Sequence, residues 1–334
     1  MSTMRIGIPR SLFFYSYLPF WQTFWSELGY EVIVSPLTNK DILDQGIAHS
    51  ATDLCVPVKI FHGHVSYLIN QAVVDVLFVP RMVNVGTNDT FCPKFLALPE
   101  MINCSFSTMP AMVSPRIDVR GRLQLFKLCT DLQRQWAPKK SVWGPFEKAY
   151  TAQSQYEAQL ANGLSIDQAW PTFAESKYTE AKKSLSSITS ELKIAVLGYP
   201  YAVYDSFING DVLKKLSHLG VSIVTADMIP FKKRRLHRLS KDLFWHYSNM
   251  VIQAGVFWLN QSVSGLIHIT NFACGPDAMV GKMLELACKQ QNKPLLTLTL
   301  DEQTGQIGIN TRIEAFVDML QRRIRYAHNL PLHG

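Results

Sequence analysis

The chain has 334 residues, more than a single hydrophobic core usually holds, and 47% of them are hydrophobic, enough to fill two. Charged residues make up 18% and no stretch has a polar, low-complexity composition, which excludes a long disordered tail. The net charge of +7 is moderate, and six cysteines without a regular framework spacing in so large a chain read as reduced thiols rather than disulfides.

From the start of the chain, RIGIP reads as a strand. LFFYSYLPFWQTFW (residues 12–25) has the apolar character of a signal-peptide core, but a strand precedes it, Pro19 interrupts it and no small-residue cleavage site follows. No apolar run reaches the roughly 18 residues that span a bilayer. A soluble, cytoplasmic protein with no membrane partner is expected.

The stretch ATDLCVPVKIFHGHV places Cys55 just ahead of a helix over about 57–70, with Pro57 in its first turn. VDVLFVP (74–80) reads as a buried parallel strand, followed by a loop and FCPKFLALPEMI, in which Cys92 precedes a proline. SFSTMPAMV (105–113) reads as a further strand and 119–136 as a helix. FEKAYTAQSQYEAQLANGL and IDQAWPTFAESKYTEAKKSLSSI read as two polar helices of a connector.

The pattern of the beginning then returns. MRIGIPRSLFFYSYLPFWQTFWSELGYEVIVSP from Met4 and LKIAVLGYPYAVYDSFINGDVLKKLSHLGVSIVTAD from Leu192 each read strand, Pro and aromatic loop, helix ending in Leu-Gly, then a β-branched strand. SGLIHIT (264–270) repeats the buried strand of 74–80, and NFACGPDAMVG puts Cys274 where that strand gives way to a helix. PLLTLTL (294–300) and a helix over 311–328 close the chain. Strands alternating with helices predict an α/β fold of two Rossmann-like lobes with parallel sheets, residues 1–140 and 191–334, joined by a helical connector over 141–190. Ligands of such sheets bind beyond the carboxyl ends of the strands.

Three thiols thus stand at helix starts, where unsatisfied N–H groups and the backbone dipole favour an anion and bias a cysteine toward thiolate. Cys104, Cys129 and Cys288 lie in apolar helical sequence and read as small buried hydrophobes. No C-x-x-C occurs, which excludes a zinc ribbon, a thioredoxin motif and local ferredoxin runs. His62 and His64 point in different directions on a helix, so at most one faces such a site, the alternative being a capping or packing role for both. Lys59 is a candidate donor beside them. Arg10 fits either an anion or a carboxylate partner, and Asp277 suits the first turn of a helix for dipole reasons. KKRRLHRLSK (232–241) is the densest basic run, but no nucleic-acid-binding motif surrounds it, so nucleic acid is not expected as a partner.

Taken together, GIPRSLFFY, PFWQTFWSELG, LCVPVKIFHGH, the FCP of 91–93, NFACGPDA, and DEQTG with TRIEAFVDML resemble the 2-hydroxyacyl-CoA dehydratase, benzoyl-CoA reductase and double-cubane cluster protein superfamily. The branch most similar is the domain fused to, or encoded beside, the ATP-dependent activases of those enzymes. The resemblance implies an oxygen-sensitive 4Fe-4S cluster, one per chain, in the cleft between the lobes and held by Cys55, Cys92 and Cys274. It further implies an activase as electron donor, a role in reduction, radical dehydration or electron relay, and a homodimer or a related subunit as partner. The chain has no G-x-x-x-x-G-K-[ST] loop, so no bound nucleotide is expected. Two other readings stand beside this one: a zinc-stabilised scaffold using the three cysteines with His62 or His64, and a metal-free, two-lobed small-molecule-binding module.

Overall fold

A computed structural model describes residues 3–86, 90–173, 192–229 and 243–329. The chain divides into two compact units, the first formed by Met1–Gln159 with Asp242–Asn249 and the second by Leu160–Lys241 with Met250–Gly334.

Unit 1 is built on β1 (Arg5–Ile8), β2 (Glu31–Val34), β3 (Val76–Phe78) and β5 (Ala111–Val113), all parallel in the order β2-β1-β3-β5. Between β1 and β2 runs α1 (Phe14–Glu27), whose aromatic side chains supply much of the core. Trp21, Trp25 and Phe13 all meet Phe78 of β3, with ring centroids 4.8, 5.8 and 5.9 Å away. Pro19 does not break α1. It has no N–H to give the carbonyl one turn back, which is that of Tyr15. The hydroxyl of Tyr156, on α7 (Trp143–Ala161), donates to that carbonyl at 2.9 Å instead.

Unit 2 repeats the plan. Its strands β7 (Lys193–Gly198), β8 (Ser222–Thr225), β9 (Gly265–Asn271) and β10 (Leu295–Leu300) are parallel and lie in the order β8-β7-β9-β10. In both units the third strand joins the first on the side away from the second, so the sheet order reverses between β1 and β3 and between β7 and β9. The internal repeat read in the sequence is therefore a repeat of topology. Its helix stops correspond as well: α1 ends at Leu28 and Gly29 (φ 92°), and α11 (Val212–His218) at Leu219 and Gly220 (φ 73°), glycine taking the left-handed turn a side chain resists.

Several local expectations are corrected. Ser105 closes α5 (Leu98–Ser105), so the strand expected over 105–113 shrinks to Ala111–Val113, the residues that pair with β3. Two short strands not foreseen, β4 (Arg81–Val85) and β6 (Arg116–Val119), form a separate parallel pair with an irregularity between Met82 and Asn84. The loop after β7 contains two single helical turns, α9 (Pro200–Val203) and α10 (Ser206–Asn209). Of the second connector helix, α8 (Ile166–Ala169) is short and a 3-10 turn follows at Pro171–Phe173; the remainder lies outside the described residues. Among the described residues no helix is long and apolar enough to cross a membrane.

Candidate functional site at the paired cysteines

The site in unit 1 begins with a helix pair. In α2 (Lys40–Ala48) the Asn39 side chain accepts from the Ile42 N–H at 3.0 Å, an N-cap that starts the helix. It lies against α3 (Val56–Asn70) through two glycines. A methyl group on Gly46 would stand 2.0 Å from the Lys59 carbonyl oxygen, and one on Gly63 would stand 1.8 Å from that of Ile42. The backbones touch because neither residue has a side chain to hold them apart. Ser11, in the loop after β1, donates to the Pro57 carbonyl at 3.1 Å and ties the first turn of α3 to that loop.

Cys55 is the N-cap of α3, with extended backbone and Pro57 in the first turn. Cys92 holds the same position on α4 (Pro93–Leu96), also extended and followed by a proline. Phe91 and Phe95 fix Cys92 from both sides. Phe91 is buried and stacks near Phe95 at 5.3 Å, with Tyr247 edge-on at 5.2 Å.

The two thiols are close enough for a charge on Cys92 to raise the pKa of Cys55, and the Lys94 ammonium pulls both down. Burial is the largest influence on each and pushes both thiols up, outweighing Lys94 and the backbone N–H groups of Val58 at Cys55 and of Lys94 and Phe95 at Cys92. The expectation that a helix start biases these two cysteines toward thiolate is thereby corrected. The N–H groups act in the expected direction, and desolvation overrides them.

Lys59 is buried. His62, also buried, has Nδ1 2.8 Å from the Val58 carbonyl of its own helix, which fixes Nδ1–H as donor. His64 is fully enclosed; its Nε2 lies 3.1 Å from the Thr38 hydroxyl and its Nδ1 has no partner among the described residues. Burial, helped by the nearby Arg10 charge, lowers its pKa to about 3. Arg10 is held by the end of β2: its N–H donates to the Ser35 hydroxyl at 2.8 Å, its Nε to the Ser35 carbonyl at 3.1 Å, and its guanidinium lies 5.1 Å over Phe14.

In unit 2, Cys274 is the N-cap of α12 (Gly275–Gln290), with Pro276 in the first turn. Its N–H donates to the Asn271 carbonyl at 3.1 Å, and Ala273 before it has a left-handed φ of 62°. Asp277 does sit in the first turn, but it is buried and its Oδ1 lies 3.2 Å from Nε2 of His268 on β9. His268 was passed over in the sequence as part of a buried strand. A single imidazole inside the otherwise apolar GLIHIT was the available signal, since a buried polar side chain needs a partner.

Of the other cysteines, Cys129 and Cys288 are buried as expected, whereas Cys104 is exposed on α5. Within unit 2, Arg312 donates to the Thr297 carbonyl and Glu314 pairs with Lys215. The basic run at 232–241 lies outside the described residues. Among the described residues, no three or more His, Cys, Asp or Glu side chains form a group able to hold a metal ion. No curated protein matches the chain. Residues 5–229, well over half of the 334, match a family described as the CoA enzyme activase uncharacterised domain (DUF2229), and the chain belongs to that family.

Proposed function

We propose that this chain is an iron–sulfur partner of an ATP-dependent activase of CoA-ester enzymes, with Cys55, Cys92 and Cys274 as thiolate ligands of one 4Fe-4S cluster. The observation that supports it is the pairing of Cys55 and Cys92, two N-cap thiols within electrostatic reach of one another and of Lys94. Both lie in the stretch that matches the activase-associated family, and Cys274 lies beyond it.

The fit to such a cluster is partial. Unit 1 brings two of the required sulfurs together, Cys274 belongs to unit 2, and no three donors gather among the described residues. When bound, a cluster of this kind supplies one-electron transfer at low potential. The residues of the chain do the rest. The N–H groups opening α3 and α4 and the Lys94 ammonium offset negative charge on Cys55 and Cys92, and burial keeps water from Cys55 while Cys92 is half-buried. Electrons received from the activase would then serve reduction, radical dehydration or relay to a related subunit.

Purification without oxygen, followed by iron and acid-labile sulfide analysis, tests the reading. The expected result is about four of each per chain, falling to background in Cys55→Ser and Cys92→Ser. Iron-free protein after reconstitution would sink it.

A second reading, a metal-free two-unit binding module, is favoured by the upward shift of both thiols, with no three-donor group among the described residues. The zinc version is less well supported, because neither His62 nor His64 joins the two cysteines in a group of three donors among the described residues, although the Val58 bond leaves Nε2 of His62 with its lone pair.

A further inference from the structure

The segment from Arg116 to Lys148 carries eight lysines and arginines against three acidic residues, a net of +5. All three acids are already engaged: Asp118 with Arg116, Asp131 with Arg134 and Glu147 with Arg122. Arg120, Lys127 and Lys139 make no ion pair among the described residues. Positive charge therefore remains available on this face of unit 1.

The same segment exposes apolar side chains on α6 (Arg122–Trp136) and at the start of α7. Helix α6 buries Cys129 and Leu132 and leaves Leu123 85% exposed near its start. Trp143, which opens α7, is 62% exposed and meets Phe126 of α6 edge-on at 5.6 Å. Leu123 and Phe126 are three residues apart and Leu123 and Lys127 four, so all three share one side of the helix. The Trp143 ring is held by its contact with Phe126 while most of it faces solvent, which lowers the entropy lost when a partner covers it.

We propose that this face of unit 1 docks an acidic segment of a partner protein, with an apolar side chain of the partner seated against Leu123 and Trp143 and its carboxylates meeting Arg120, Lys127 and Lys139. Protein is favoured over nucleic acid because Leu123, the more exposed of the two anchors, offers no ring on which a base could stack and no charge for a phosphate, whereas aliphatic and aromatic side chains side by side are what protein interfaces bury; the Trp143 ring alone would serve either partner, and the oligonucleotide control separates them. The proposal is independent of the cluster and stands or falls without it.

The probe is a fluorescent synthetic helical peptide of about 18 residues with one leucine and tryptophan stripe flanked by glutamates. Two controls accompany it: the same peptide with serines replacing the apolar stripe, and a thymidine oligonucleotide of similar charge. Fluorescence anisotropy with the whole chain is expected to show the amphipathic peptide bound at least ~10-fold tighter than either control. Trp143→Ala and Leu123→Ser are each expected to remove that preference, and Lys127→Glu to weaken binding and flatten its salt dependence. Circular dichroism checks that these exposed substitutions leave the fold intact. No binding, equal binding of the serine control, a preference for the oligonucleotide, or insensitivity to both apolar substitutions overturns the proposal. So does self-association abolished by Leu123→Ser, which would assign the face to a second copy of this chain.

Discussion

His64 shows what burial does to a single titratable group. Free imidazole protonates near pH 6.5, but the enclosed ring of His64 does so only at about pH 3. Between those values the unfolded chain takes up a proton that the folded chain refuses. The contribution is complete above pH 6.5 and is lost as pH falls toward 3, at about 1.4 kcal/mol per pH unit in the middle of that window. Urea midpoints measured from pH 7 to pH 4 should therefore fall less steeply in His64→Gln than in the parent; parallel slopes would show that the group is not buried as described. FHGH displayed its two histidines plainly, yet nothing in the string distinguishes one that bonds its own helix from one that bonds Thr38. The partner of His62 stands 4 residues back in the same helix, whereas that of His64 lies 26 residues away, ahead of α2.

At the scale of elements, α2 packs backbone to backbone against α3, the helix that Cys55 caps. Added methyls 2.0 and 1.8 Å from carbonyl oxygens cannot be absorbed by turning a side chain, because backbone lies on both sides. Gly46→Ala and Gly63→Ala should each destabilise unit 1 by about 3 kcal/mol or more, read as a lower urea midpoint, whereas Gly144→Ala, with open space around it, should change it little. Helix α3 was legible because Pro57 and an apolar run announce it. Helix α2 was not read, although Asn39 supplies a capping signal, because its nine residues carry too little periodicity to stand out from a loop. The same limit hid β4 and β6, each of which makes sense only beside the other.

At the scale of the whole molecule, the chain returns to unit 1 midway through unit 2, with β9 and β10 still to come. Residues 242–249 bring Tyr247 back to Phe91 and Phe95, and its hydroxyl stands 3.1 Å from that of Ser16. Tyr247→Ala should loosen the segment that carries Cys92. Hydrogen exchange of peptides covering 90–105 should accelerate roughly 30-fold, the equivalent of about 2 kcal/mol of lost burial, while peptides covering 193–229 stay unchanged. Equal acceleration in both would mean that the effect is global. The repeat, the parallel sheets and three cysteines at helix starts were all determined by the sequence alone, since strand periodicity, Leu-Gly helix stops and Cys-Pro spacings are local properties written in consecutive residues. Tertiary structure alone decided that Cys55 and Cys92 stand together, that burial outweighs the helix ends in setting their protonation, and that Asp277 meets His268. Those outcomes depend on which distant segments pack around a group, and the energy of removing it from water is set by that packing rather than by its neighbours in the chain.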